Sequence, residues 1–320
     1  MKKILFVLLI PALILLLFMH PDVIASGCSH GLHLWYTAVL PSLLPFMIAS
    51  GLLIRTGLFR YLNPVYAPLL KKLFRISEDG CYAVLLGFLC GFPMGAKVIA
   101  DLVREKHISA EEGSYLLGFC NNVSPAFFFN YVCLLKLGYP SVPWKLVLLF
   151  YSLPVLYGLA SRPFYHFPQT GRTQKQASVH RMDFPMLDAC IMDGFSTITR
   201  LGGYIMLFTI FVHFLKLLPL SGLLPALISS FLEISCGIDQ LSEAVAVPVW
   251  RTALVCVCAA FGGLCICAQT QSVLTGTPLS VRTWLRGRIT IALVLLLLLL
   301  LLSFPPAVTE AAASALPGYW

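Results

Sequence analysis

The sequence predicts an all-α, polytopic helical membrane protein, and three observations carry that expectation. Only 11% of its 320 residues are charged and 58% are hydrophobic, with a mean hydropathy of +0.86. A soluble core cannot absorb so much apolar sequence. Apolar runs of bilayer-crossing length recur along the chain, and several are interrupted at their centres by Gly, Pro or Asn. Such breaks are tolerated at membrane depth only where they face protein or a polar cavity. The expectation is about seven to nine membrane segments, including broken or re-entrant helices, in two pseudo-repeat halves.

Taken in order, Met1-Lys2-Lys3 and the apolar run to Met19 imitate a secretory signal. Ala25-Ser26-Gly27-Cys28 distantly resembles a lipoprotein cleavage site, but alanine stands where an aliphatic residue is expected, and residues 4–19 are read as a retained first span. The segment 20–33 lacks Lys and Arg and reads as an external loop, followed by a span at 34–54. Arg55, Arg60, Lys71, Lys72 and Arg75 place the next loop in the cytoplasm. A less regular stretch, 81–100, precedes clear spans at 115–135 and 144–161. The hydrophilic segment 162–186 is the best linker, dividing a membrane half 1–161 from a second half 187–320. That second half holds clear spans at 203–218 and 289–304 and less regular ones at 222–236 and 252–268.

Charge and cysteine usage narrow the classes further. The net charge of +8 comes mainly from short loops, where Lys and Arg orient helices and meet anionic lipid, so no nucleic-acid partner is expected. Most of the eleven cysteines lie inside predicted spans, with Cys28 the clear loop exception, and disulfides are not expected. Cys256, Cys258, Cys265 and Cys267 form two C-x-C pairs, but residues two apart on a helix diverge and do not converge on a metal. His30 and His33 have no acidic or Cys neighbour and read as interfacial. No metal site and no cofactor are expected.

The candidate site lies in the breaks. With cytoplasmic loops on both sides, the run from Gly91 through Pro93 and Gly95 to Lys97 reads as the tip of a re-entrant hairpin. Asn121, Asn122, Ser124 and Pro125 interrupt the 115–135 run and read as a broken helix lining a site. Unpaired N–H groups and a positive helix end at such breaks favour an anionic solute. Lys97 either adds its charge to that site or pairs with Asp101 at i, i+4; Asn121 and Asn122 either read a ligand or join helices. Gln269 and Thr270 follow a second Gly-rich break and are candidates to line the same site. Asp188, Asp193 and Arg200 read as an interfacial helix face, and His213 as a packed polar residue at a helix end.

Residues 87–97 can be laid over 259–269, matching Gly91 with Gly263 and Ala96 with Ala268. With opposite orientations, the halves would follow the inverted-repeat design of transporters. Under that assignment Arg282, Arg286 and Arg288 fall outside, against the positive-inside tendency, which leaves the topology of the second half open.

The run Gly87-Phe88-Leu89-Cys90-Gly91-Phe92-Pro93-Met94-Gly95-Ala96-Lys97 carries a family resemblance, together with the helix start Ile108-Ser109-Ala110-Glu111-Glu112 and the run Phe119-Cys120-Asn121-Asn122-Val123-Ser124-Pro125. They resemble the nucleoside-recognition gate-domain membrane proteins, named for their similarity to concentrative nucleoside transporters. Leu34-Trp35-Tyr36, the run from Leu40 to Phe46, and Phe261-Gly262-Gly263-Leu264 extend the resemblance over most of the chain. It implies an endospore-forming bacterium, a multi-pass protein of the cell membrane or a forespore membrane, and movement of a small solute such as dipicolinate. The alternatives are a non-transporting assembly protein of spore formation or a nucleoside-like ligand-binding gate protein. No enzyme is expected, since neither H-E-x-x-H nor a convergent acidic cluster is present. The expected partners are a small-molecule solute and the lipid bilayer, with a homo-oligomer also open.

Overall fold

The computed structural model describes Leu15 and residues 18–167 and 182–302, all helix, turn or coil with no strand among them. The expected first span at 4–19 and most of the 162–186 linker lie outside the described residues. Among the described residues, five helices are long and apolar enough to cross a membrane: Pro21–Thr56, Trp144–Phe164, Phe184–Leu217, Pro248–Leu274 and Val281–Leu301. A sixth, broken path joins Ala110–Leu117 to Phe127–Lys136.

Helix α1 (Pro21–Thr56) starts with Pro21 at its first turn and stops at Gly57, whose φ of +75° suits glycine. A π-helical turn, Trp35–Val39, precedes Pro41 and Pro45 and lets the helix absorb the donors those prolines lack. This overturns the expected loop at 20–33: it is helical, and Cys28 donates to Met206 Sδ inside the helix packing. α2 (Asn63–Phe74) lies along the basic face.

The next elements position the site. α3 (Glu78–Leu89) is capped by Ser77, whose Oγ accepts from Gly80 N at 3.0 Å; after a turn at 90–93 the chain reverses into α4 (Met94–Arg104). α5 (Ala110–Leu117) is capped by Ser109, the chain runs extended through Asn121–Ser124, and α6 (Phe127–Lys136) continues outward as a π-helix. α7 (Trp144–Ser161) returns, and its C-terminal Arg162 donates to the Arg75 carbonyl at 3.1 Å.

The second half repeats this order. α8 (Phe184–Phe214) begins earlier than the expected 203–218 span, because Asp183 caps it with an acceptor for Met186 N at 2.9 Å. It runs antiparallel to α1: Thr209 Oγ1 donates to Gly27 O and Trp35 Nε1 to Ile198 O, both at 2.9 Å. α9 (Leu224–Leu232) and α10 (Ile234–Ala244) fold back on each other at Glu233, so closely that a Cβ on Gly237 would lie 2.2 Å from Ser230 Cα. α11 (Pro248–Phe261) and α12 (Gly263–Leu274) form one crossing broken at Gly262, and α13 (Val281–Leu301) closes the bundle.

Each half therefore contains a long helix, a hairpin, a broken helix and a closing helix. The order pairs α3–α4 with α9–α10 and α5–α6 with α11–α12, not residues 87–97 with 259–269. Glycines at the two breaks look alike in sequence, yet Gly91 serves a reversal and Gly262 a kink. The hairpin α9–α10 replaces the expected span at 222–236, and this resolves the arginine difficulty. Because that hairpin enters and leaves by one face, α11–α12 crosses to the face of Arg55, Lys71, Lys72, Arg104 and Arg162. Arg282 and Arg286 sit there too, at the start of α13, and the face satisfies the positive-inside rule as cytoplasmic.

Candidate functional site

The first hairpin meets the first break through small residues. Gly91 has φ +84°, and a Cβ there would lie 2.6 Å from Ser124 N; one on Gly95 would lie 2.9 Å from Asn121 Cα. Only hydrogen at these positions lets the backbone of 120–124 cross the hairpin. Ser124 Oγ accepts from Phe127 N at 3.3 Å and Pro125 takes the first helical position, so the same residues that end the break restart the helix.

Asn121 is fully buried and bridges the halves. Its Oδ1 accepts from Ala96 N at 3.3 Å and its Nδ2 donates to Thr270 Oγ1 at 3.2 Å, while its carbonyl accepts from Trp284 Nε1 at 3.3 Å. The reason lies in α4: Pro93, at the N-cap, has no side-chain acceptor for the third helical N–H, and Asn121 supplies one from another segment. Asn122 is different. Its Nδ2 turns back to Phe119 O at 2.7 Å, and its buried Oδ1 has no partner.

The second hairpin and break repeat the contact. A Cβ on Gly263 would lie 3.2 Å from the Leu232 and Phe231 carbonyl oxygens, and one on Gly262 would lie 3.2 Å from the Phe92 ring. Phe92, at the first hairpin tip, also meets Trp284 edge-on at 6.0 Å. The tip of the first hairpin thus touches the second break and the closing helix of the other half. Farther out, α6 holds the second hairpin through Tyr131, whose hydroxyl donates to Asp239 Oδ1 at 2.7 Å, and through an ion pair from Lys136 to the same carboxylate.

Lys97 points away from the tips. It is buried and donates to Asp101 Oδ2 and Asp193 Oδ2, each at 2.7 Å. The i, i+4 pair foreseen in the sequence is present, and Asp193, read there as interfacial, joins it from α8. These groups form the inner wall of a cavity of about 210 Å³ on the basic face, also lined by Arg55, Arg104 and Arg200. Arg104 fixes the α4 to α12 seam, donating to the Val273 and Thr275 carbonyls at 2.6 and 2.9 Å. Of the other candidates, Thr270 belongs to the Asn121 bridge. Gln269 turns onto its own helix, donating to Cys265 Sγ at 3.2 Å.

Outside the spans, Arg60 in the turn after α1 grips Asp79 with Nε to Oδ1 at 2.9 Å and Nη2 to Oδ2. These hydrogen bonds hold its guanidinium above the ordinary arginine value.

Sequence reading passed over two buried charges. Glu233 caps α10 at the second hairpin, accepting from Cys236 N at 2.8 Å; the signal was a lone acid in an apolar run, shortly before Ser235-Cys236-Gly237. Arg288, taken only as topological evidence, lies on the buried face of α13 with Trp284, Ile291 and Leu295. Among the described residues, no group of His, Cys, Asp and Glu is arranged to hold a metal ion.

Comparison with known proteins supports the sporulation membrane-protein part of the resemblance. The chain is 25% identical, over 312 aligned residues, to the sporulation integral membrane protein YlbJ of Bacillus subtilis (strain 168), covering 84% of this chain and 75% of that protein. No protein-family profile matches the chain, and no solved structure matches it.

Proposed function

We propose, from this similarity to a sporulation integral membrane protein, that the chain is a transporter-like protein moving a small polar or anionic solute. Dipicolinate is the leading candidate, by the family resemblance. The single observation that carries the reading is the inverted pair of hairpins and broken helices, in which the first hairpin tip and the first break meet the second break between the halves. Such breaks leave helix ends and amides around a shared centre, the arrangement by which alternating-access proteins hold a solute. Asn122 and Ser124, with Gly91, Pro93 and Gly95 shaping the tip, would face the solute, and Gln269 and Thr270 would flank it from the second half. Lys97, held between two aspartates, would set the charge of the approach rather than grip the solute directly. No catalytic reaction is assigned. The partners are the solute and the bilayer of a cell or forespore membrane, with self-association left to measurement.

One observation favours a second reading, an assembly role without turnover: Asn121 is satisfied entirely by protein groups that tie the halves together. Proteoliposomes distinguish the two. Purified protein should take up labelled dipicolinate faster than protein-free vesicles do, and equal rates would defeat the transport reading.

A further inference from the structure

Arg288 is the largest unexplained charge in the protein. It is 2% exposed, and its Nε and Nη2 have no hydrogen-bond partner. No carboxylate of the described residues lies in ion-pair range. The titratable groups that face it are Cys120, beside the first break, and Tyr157 of α7. A guanidinium removed from water without a counter-charge is costly enough that it persists only where something offsets it.

Two features say what that something is. The two empty donors are the side-on pair, Nε and Nη2, whose parallel N–H bonds match the two oxygens of a carboxylate. The protein fills this same fork elsewhere, at Arg60, with Asp79. At Arg288 the fork is buried and no protein group among the described residues pairs with it. The second feature is position. The neighbouring Gly287 packs on the first break so closely that a Cβ there would lie 2.0 Å from Gly118 O, and Trp284, one turn before, donates to Asn121 O. Asn122, whose Oδ1 is among the described residues the other buried side-chain atom lacking a partner, folds back over Phe119 in the same turn. Unpaired donors and an unpaired acceptor thus both border residues 118–122.

We infer that Arg288 is the carboxylate-recognising residue of this protein, gripping the carboxylate of a small solute side-on at the first break. This rests on the transport reading and deepens it by naming the residue that holds the solute's charge, but it concerns binding and is tested without flux.

The test is thermal unfolding of the purified full chain in detergent, titrated with sodium benzoate at ionic strength held constant with sodium chloride. Wild type should show a saturable rise in Tm. Arg288→Lys, which keeps the charge but loses the fork, should bind roughly tenfold more weakly. Arg288→Met should show no rise, while its Tm without benzoate equals or exceeds that of wild type, because an apolar side chain of similar volume removes an uncompensated charge. Two results would overturn the inference: no saturable benzoate rise in wild type, whatever the Tm of Arg288→Met, or a benzoate response in Arg288→Met equal to that of wild type. Benzoate binding that depends on Arg288, alongside absent dipicolinate flux, would sink the transport reading and leave this site standing.

Discussion

Asn121 and Asn122 are adjacent amides in one break, and replacing each by alanine should have very unequal consequences. Asn121→Ala removes the acceptor for Ala96 N–H and the donor to Thr270 Oγ1, leaving two groups at the junction of the halves without partners. At about 1–3 kcal/mol for each unsatisfied buried group, the loss is about 2–6 kcal/mol. Asn122→Ala gives up one bond to Phe119 O but also deletes a buried oxygen that had no partner, so the terms offset to within about 1 kcal/mol. The assay is thermal unfolding in detergent, with a double-mutant cycle against Thr270→Val. Asn121→Ala and Thr270→Val should be coupled by about 0.5–3 kcal/mol, while Asn122→Ala and Thr270→Val should be additive. Equal destabilisation by the two alanines, or no coupling between Asn121 and Thr270, would refute the division of labour between a structural and a ligand-facing amide.

Other expectations follow from the same geometry. Gly95→Val should abolish folded protein, since its Cβ would lie 2.9 Å from backbone at Asn121 Cα, and monodisperse elution at the wild-type position on size exclusion would contradict this. Lys97→Gln leaves Asp101 and Asp193 facing each other, but Asp101 keeps Arg104 at 2.7 Å, so the cost should be about 1–3 kcal/mol. Adding Asp101→Asn should recover part of it, read as Tm, because the more exposed Asp193 can return to water. Asp79→Asn breaks the fork at Arg60 and should cost about 1.5–3 kcal/mol, the range for hydrogen bonds to charged groups, measured as a Tm shift against wild type.

Much of this was legible in the chain. Gly91, Pro93 and Gly95 marked a reversal because their spacing and the basic loops on either side left no room for a crossing. Asn121 to Pro125 marked a break because amides and proline at membrane depth require protein partners. Three features were hidden. The segment 20–33 looked like a loop, since an exposed helix end carries the same polar residues as a turn. The hairpin at Glu233 looked like a span, because a re-entrant pair and a crossing share one apolar composition and differ only in the direction of a single residue. Arg288 looked like a topological charge, because which face of α13 it occupies depends on the packing of Gly287 against Gly118.

The hairpin at Glu233 decides whether the halves are inverted, and the side of the membrane on which its flanking loops lie tests the account most directly. Single cysteines at Ser221, Ala246 and Thr275, placed in a cysteine-free background in sealed right-side-out vesicles, can be probed with a membrane-impermeant thiol reagent. The account predicts labelling of Ser221→Cys and Ala246→Cys from outside, and of Thr275→Cys only after the vesicles are opened. Protection of Ala246→Cys together with outside labelling of Thr275→Cys would mean that 224–244 crosses the bilayer, and the inverted pair of hairpins would be contradicted.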